Sequence, residues 1–137
     1  MYNNTMENKY RKTKTTVSMI NYHFVFCPRY RRKIFLIEGV KKHFKELVNT
    51  ISKEMNLEII ALECDIDHVH LFINAKPTIS PSKIMHHLKG KTSRIIRKEF
   101  DELNKMPSLW TRSYFVSTAG EVSSETIKKY VENQKKR

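Results

Sequence analysis

The sequence predicts an α+β fold built on an antiparallel sheet, and three observations carry that expectation. The chain has 137 residues, the length of one ordinary domain. Two stretches, Val40 to Met55 and Ile84 to Leu103, repeat apolar residues at helical spacing. Around them lie four stretches rich in β-branched and aromatic residues, bounded by Pro, Asp or Gly.

Taken in order, residues 1–15 are polar and basic, with Arg11, Lys12 and Lys14, and read as a loose arm. Val17 to Cys27 (VSMINYHFVFC) reads as the first strand, closed by Pro28 and the basic cluster Arg29-Tyr30-Arg31-Arg32-Lys33. Val40, Phe44, Leu47, Val48, Ile51 and Met55 form the apolar stripe of a first helix whose other face carries Lys41, Lys42, Lys45 and Lys53. Leu57 to Glu63 is the second strand, Cys64-Asp65-Ile66-Asp67 the turn, and His68 to Ala75 (HVHLFINA) the returning strand of a hairpin. Ser80-Pro81 signals a helix start, with Ser as N-cap and Pro at the first helical position. The helix that follows carries Lys89, Lys91, Arg94, Arg97 and Lys98 on its polar side. Leu109 to Thr118 reads as a fourth strand, broken at Ala119-Gly120, and Ser123 as the cap of a last helix reaching Gln134. Gly120 is also placed to act as a hinge for that helix. The order β-α-β-β-α-β plus a C-terminal helix gives a ferredoxin-like sandwich, with two helices on one sheet face and the other face open for a site.

Composition narrows the function. The formal net charge is +12 and the sequence pI about 9.8, which points to a polyanionic partner, nucleic acid first. No apolar run approaches the ~20 residues of a membrane span, and the N-terminus lacks an apolar signal core. Two cysteines, Cys27 and Cys64, make no disulfide framework and read as reduced, buried side chains of a cytoplasmic protein. P-loop, dinucleotide-binding and G-x-S-x-G signatures are all missing from the sequence.

Three constellations could carry chemistry. His68 and His70 stand at i and i+2 of a strand, so both imidazoles share one face while Val69, Leu71 and Ile73 take the other. They are either the start of a divalent-metal site or two ordinary histidines on a half-exposed sheet. Asp65 and Asp67 are turn formers, and either could stand behind a ligating histidine and orient it. A zinc site of Cys64, His68 and His70 can be drawn but lacks a fourth ligand. Tyr130 and Gln134 stand one helical turn apart, a phenol nucleophile beside an amide ligand or else part of a docking stripe with Ile127 and Val131. The basic set Arg29, Tyr30, Arg31, Arg32, Lys33, Lys83, Lys89, Lys91 and Arg94 is either a single-strand-binding surface or a solvated face.

Three segments together resemble the small single-tyrosine HUH transposases (TnpA) of bacterial and archaeal insertion sequences. They are Phe24-Val25-Phe26-Cys27-Pro28-Arg29-Tyr30-Arg31-Arg32-Lys33, Asp67-His68-Val69-His70-Leu71-Phe72, and Tyr130-Val131-Glu132-Asn133-Gln134. The resemblance covers nearly the whole chain, and it implies an enzyme that cuts and rejoins single-stranded DNA at hairpins near the ends of the element. It implies Tyr130 as nucleophile and His68, His70 and Gln134 as ligands of Mg²⁺ or Mn²⁺. It also implies a homodimer in which the tyrosine helix of one subunit serves the histidine pair of the other. Two further readings share the topology. One is a host-encoded relative acting on dispersed palindromes. The other is a non-catalytic RNA- or DNA-binding module, although HVHLFINA carries histidines and no glycine where a ribonucleoprotein strand carries its aromatic motif.

Overall fold

Alternation along the hairpin strand decides which way the sheet faces, and the rest of the chain packs accordingly. The computed structural model describes residues 10–118 and 124–134. The strands are β1 (Arg11–Lys12), β2 (Val17–Ser18), β3 (Ile20–Phe26), β4 (Glu58–Cys64), β5 (Val69–Ala75) and β6 (Phe115–Ser117). The helices are α1 (Val40–Glu54), α2 (Pro81–Glu99) and α3 (Ser124–Asn133). The main sheet has the order β4-β5-β3-β6, antiparallel throughout. From β3 onward this is the ferredoxin-like β-α-β-β-α-β order followed by a helix.

One sheet face is the core. Phe24 and Phe26 of β3 and Val69, Leu71 and Ile73 of β5 are buried against Phe44 and Val48 of α1 and Ile84, Leu88 and Ile96 of α2. The start of α2 is as the sequence predicts: Ser80 is the N-cap, its hydroxyl accepts the Lys83 N–H at 3.1 Å, and Pro81 opens the helix. The helix stops at Glu99, short of the predicted Leu103. Phe100 turns extended, its ring standing 3.4 Å from where a Cβ on Gly39 would lie, and Leu103 enters the core from a following 3-10 turn. Gly39 itself has φ +90 at the head of α1, a conformation that suits glycine.

Three other expectations are corrected. The predicted fourth strand, Leu109 to Thr118, shrinks to Phe115–Ser117. Lys89 explains this, because its Nζ donates to the carbonyls of Thr111, Arg112 and Ser113 and so draws that stretch off the ladder. Leu109 and Thr111 instead bond the backbone of Arg29 and Cys27. Second, the far part of the expected loose arm is ordered. Arg11–Lys12 pairs with Val17–Ser18, and the Arg11 guanidinium donates to the Asn56 carbonyl at 3.0 Å and to the Asn74 side chain. Third, the sheet face opposite α1 and α2 is partly covered. Val131 of α3 packs against Val25 and Cys27 of β3, with Phe115 and Tyr130 at the edge of the cluster. The proposed cap Ser123 and hinge Gly120 lie outside the described residues.

Leu71, next to His70 on β5, is fully buried. Leu71→Ala is expected to cost about 2–5 kcal/mol, read as a lower midpoint in urea unfolding.

Candidate metal and nucleophile site

The site grows out of register. His70 opposes Val25 on one side and Glu63 on the other, and Val25 in turn opposes Phe115. Residues opposed in antiparallel strands point to the same face, so His70, Val25, Glu63 and Phe115 share the face onto which α3 docks. His23 and Phe72 oppose each other two positions along, also on this face. His68 precedes β5 at the hairpin, where Asp65 N–H donates to its carbonyl at 2.8 Å.

Both imidazoles are held by their Nδ1 edge. Asp67 Oδ1 stands 3.0 Å from His68 Nδ1. An ionised carboxylate only accepts, so the tautomer that suits this contact has the proton on Nδ1, and in that tautomer Nε2 is bare. His70 Nδ1 lies 3.2 Å from His23 Nε2. The two Nε2 atoms then face Asp65 Oδ2, at 2.9 Å from His68 and 3.6 Å from His70. A lone pair and a carboxylate facing each other need a cation or a proton between them. Asp65, His68 and His70 offer ligand atoms within 4.8 Å of one another, so this donor set fits a divalent metal. Asp67 contacts His68 at the Nδ1 edge. Asp65 instead faces both Nε2 atoms directly.

Electrostatics favours the ligating forms. Burial, then the neighbouring His68, holds the His70 imidazole below its ordinary pKa against the opposing pull of Asp65 and Glu63. Burial and His70 lower His23 likewise. Neutral imidazole is the form a metal takes. Burial pushes the Asp67 carboxyl up, but hydrogen bonds from His68 and Arg31, together with their charges, outweigh it and leave the group below the usual carboxylate range. Arg31 Nε donates to Asp67 Oδ2 at 2.9 Å from a backbone at φ 52, and its neighbour Tyr30 sits at φ 60. Two consecutive non-glycine residues in the left-handed region are uncommon, and here they aim the guanidinium at the turn carrying the site.

Tyr130 and Gln134 gather on Ser113. The Ser113 hydroxyl donates to Gln134 Oε1 at 2.7 Å and lies 3.2 Å from the Tyr130 phenol oxygen. The phenol and the amide are thus brought together, on the same sheet face as the histidines, with the amide oxygen engaged by serine. Ser113 carried no sequence signal. Its neighbour Lys89 is largely withdrawn among carbonyls, and burial pushes its ammonium down to about 8. The cysteines stand apart. Cys64 belongs to the core, so the drawn Cys64-His68-His70 set is not assembled, and burial pushes its thiol to about 11 and that of Cys27 to about 12.

The basic residues divide. Tyr30, Arg32, Lys33, Lys83 and Arg94 are exposed. Arg29 donates to Ser108 Oγ at 2.9 Å, Arg31 is paired with Asp67, and Lys91 reaches Glu54 at 3.1 Å. Arg29 and Lys89 also line an open groove of about 650 Å³ with His86, Arg97, Trp110 and Arg112.

Removing the Arg31 donors tests the electrostatics. Asp67 sits below its unfolded value when folded, so its stabilising contribution is present above the unfolded carboxyl pKa and is lost as pH falls through the folded one. Arg31→Gln is expected to raise the Asp67 carboxyl in a carbon-13 NMR titration. The variant should also lose less stability than wild type between neutral and acid pH.

Comparison with known proteins places the chain in a family. A family model described as "Transposase IS200 like" matches residues 16–134. The transposase for insertion sequence element IS200 of Salmonella typhimurium is 32% identical over 116 residues, covering 82% of this chain and 75% of that one. The ISDra2 transposase TnpA of Deinococcus radiodurans is 30% identical over 127 residues, covering 90% of each. A crystal structure of a Deinococcus radiodurans R1 protein assigned as a transposase superposes with a TM-score of 0.83 at 31% identity, covering 90% of this chain and 97% of that one. A REP-associated tyrosine transposase bound to a REP hairpin shares the fold, with a TM-score of 0.57 at 10% identity over 89% of this chain and 68% of that one. The chain belongs to the IS200-like transposase family.

Proposed function

We propose that the protein cleaves and rejoins single-stranded DNA at hairpin-marked ends of an insertion sequence, through a covalent bond between Tyr130 and a 5′ phosphate. The observation that carries this reading is the convergence of Asp65, His68 and His70 on one point of the sheet face that also bears the Tyr130 helix. The relatives at 30–32% identity are transposases of insertion sequences, which favours a mobile element over dispersed host palindromes as the source of substrate. The same family relationship favours an enzyme over a non-catalytic RNA- or DNA-binding module. A structural neighbour holds a hairpin, which supports hairpin DNA as the ligand here. The exposed Tyr30, Arg32, Lys33, Lys83 and Arg94, with Arg29 at the groove, form the phosphate- and base-contacting surface. The reaction belongs to the cytoplasm, where such DNA resides.

His68 and His70 would hold the metal, with Gln134 as a third ligand once its amide leaves Ser113, and Asp65 stands in one donor set with the two histidines. Bound there, Mg²⁺ or Mn²⁺ supplies charge neutralisation at a non-bridging phosphate oxygen. Asp67 keeps His68 in the tautomer with a bare Nε2. Tyr130 loses its proton, its oxygen forms a bond to phosphorus, and the P–O3′ bond breaks with its electron pair and a proton going to the leaving 3′-OH. In the reverse step a different 3′-OH attacks the same phosphorus and the phenolate leaves, so joining conserves the bond energy. A free phenol has a pKa of about 10, which suits both roles of attacking and leaving group. Ser113 holds the phenol and the Gln134 amide together until the helix meets a histidine pair. The active unit is a homodimer sharing its sites between subunits, because each chain offers one nucleophile of this kind and two ends must be exchanged.

Incubation with labelled single-stranded DNA from the protein's own locus tests this. Wild type plus Mg²⁺ or Mn²⁺ is expected to give a covalent band on a denaturing gel. Tyr130→Phe should abolish that band while binding stays within a few-fold, and an adduct persisting in the variant would remove Tyr130 from the role. His68→Ala and His70→Ala should each lose metal-dependent cleavage, and undiminished cleavage in both would rule out the metal site.

A further inference from the structure

We propose that His23 is a positioning residue for the metal site, fixing His70 in the tautomer that leaves its Nε2 free to ligate. The inference rests on the proposed metal reading and adds a residue that none of the three sequence motifs' chemical roles includes. His23 lies on β3, across the ladder from Phe72 and two residues before Val25, and is 3% exposed. Its ring stacks on Phe72, with centroids 4.0 Å apart and planes 11° from parallel. Phe115 meets it edge-on at 6.3 Å. The ring is therefore clamped, and its Nε2 stands 3.2 Å from His70 Nδ1.

The chemistry follows from counting protons on two imidazoles. A neutral imidazole has one N–H and one lone pair. For His70 to present Nε2 to a cation beside Asp65, its proton must sit on Nδ1 and must be donated to an acceptor. His23 Nε2 occupies that place, so His23 carries its own proton on Nδ1. His23 Nδ1 is buried without a hydrogen-bond partner among the described residues. A buried imidazole edge left unsatisfied carries a folding cost, and a purely structural ring at this point would be better served by phenylalanine. The retained cost fits a residue kept for its acceptor. The two histidines of the motif are thereby oriented by different means: His68 by a carboxylate one residue away, and His70 by a second imidazole from another strand. A neutral acceptor at His70 adds no further negative charge to a site already holding Asp65, Asp67 and Glu63.

The test reads metal binding without catalysis. His23→Phe keeps an aromatic ring on Phe72 and removes the acceptor, while His23→Gln restores an acceptor oxygen near the position of Nε2. Mn²⁺ alone is titrated against each full-length variant and followed by electron paramagnetic resonance, with melting in the absence of metal reporting folding. Mn²⁺ affinity is expected to fall about 10- to 100-fold in His23→Phe and to return to within a few-fold of wild type in His23→Gln. His23→Met repeats the acceptor loss should the phenyl ring impair folding. Wild-type affinity in the folded acceptor-less variant, or equal weakness in His23→Gln and His23→Phe, overturns the proposal. His70→Ala separates the two levels of the argument. If it binds Mn²⁺ as wild type does, the metal site and this inference fall together. If it loses Mn²⁺ while His23→Phe keeps it, the inference alone falls.

Discussion

Val69, Leu71 and Ile73 are withdrawn from solvent completely, and a strand that buries three successive inward positions cannot turn over without exposing them all. That constraint fixes the outward positions as firmly as the inward ones. His70 and Phe72 must face away from α1 and α2, and so must the residues opposing them on either side. The burial energy of the core is thus what aims the imidazole of β5, with no strain at His70 itself. Hydrophobic packing on one side of the sheet serves the chemistry on the other.

Aiming a ring is not enough to make it a ligand, and the remaining freedom is removed by hydrogen bonds at the back edges. Asp67 meets the Nδ1 edge of His68 with one oxygen and accepts from Arg31 with the other, and the left-handed backbone of Arg31 reaches over from the turn after β3. One carboxylate therefore ties the basic turn to the histidine hairpin. Two of the motifs that are far apart in the chain meet in this ion pair. Charge expected to meet DNA is in part consumed in building the site: Arg31 serves Asp67, and Lys89 serves three carbonyls.

The third motif arrives by a different route. Val131 closes an apolar cluster with Val25 and Cys27, which seats α3 on this sheet face. Val131 and Tyr130 occupy adjacent helical positions, so docking by one delivers the other to the edge of the cluster beside Phe115. The docking-stripe reading and the nucleophile reading of this segment are therefore compatible, since the turn of helix that docks also carries the Tyr130 phenol. Ser113, freed from the sheet ladder by the pull of Lys89, is in position to engage the phenol and the amide.

Much of this was legible in the residues alone. Period and capping gave both long helices, including the start at Ser80, because those signals are local and each residue's partner lies within a turn. Strict alternation put His68 and His70 together and Val69, Leu71 and Ile73 opposite them, since a pleat has a period of two wherever it occurs. The end of α2 at Glu99 and the short β6 were not legible, because Phe100 and Lys89 act on residues remote in sequence. His23 and Ser113 escaped notice for the same reason. Parity placed His23 on a face, but only register placed it beside His70. The sequence by itself determined which residues could do chemistry and which face of its own element each would take. Tertiary structure decided which of them meet, because strand register and helix docking are set by burial summed over the whole core rather than by any residue's neighbours in the chain.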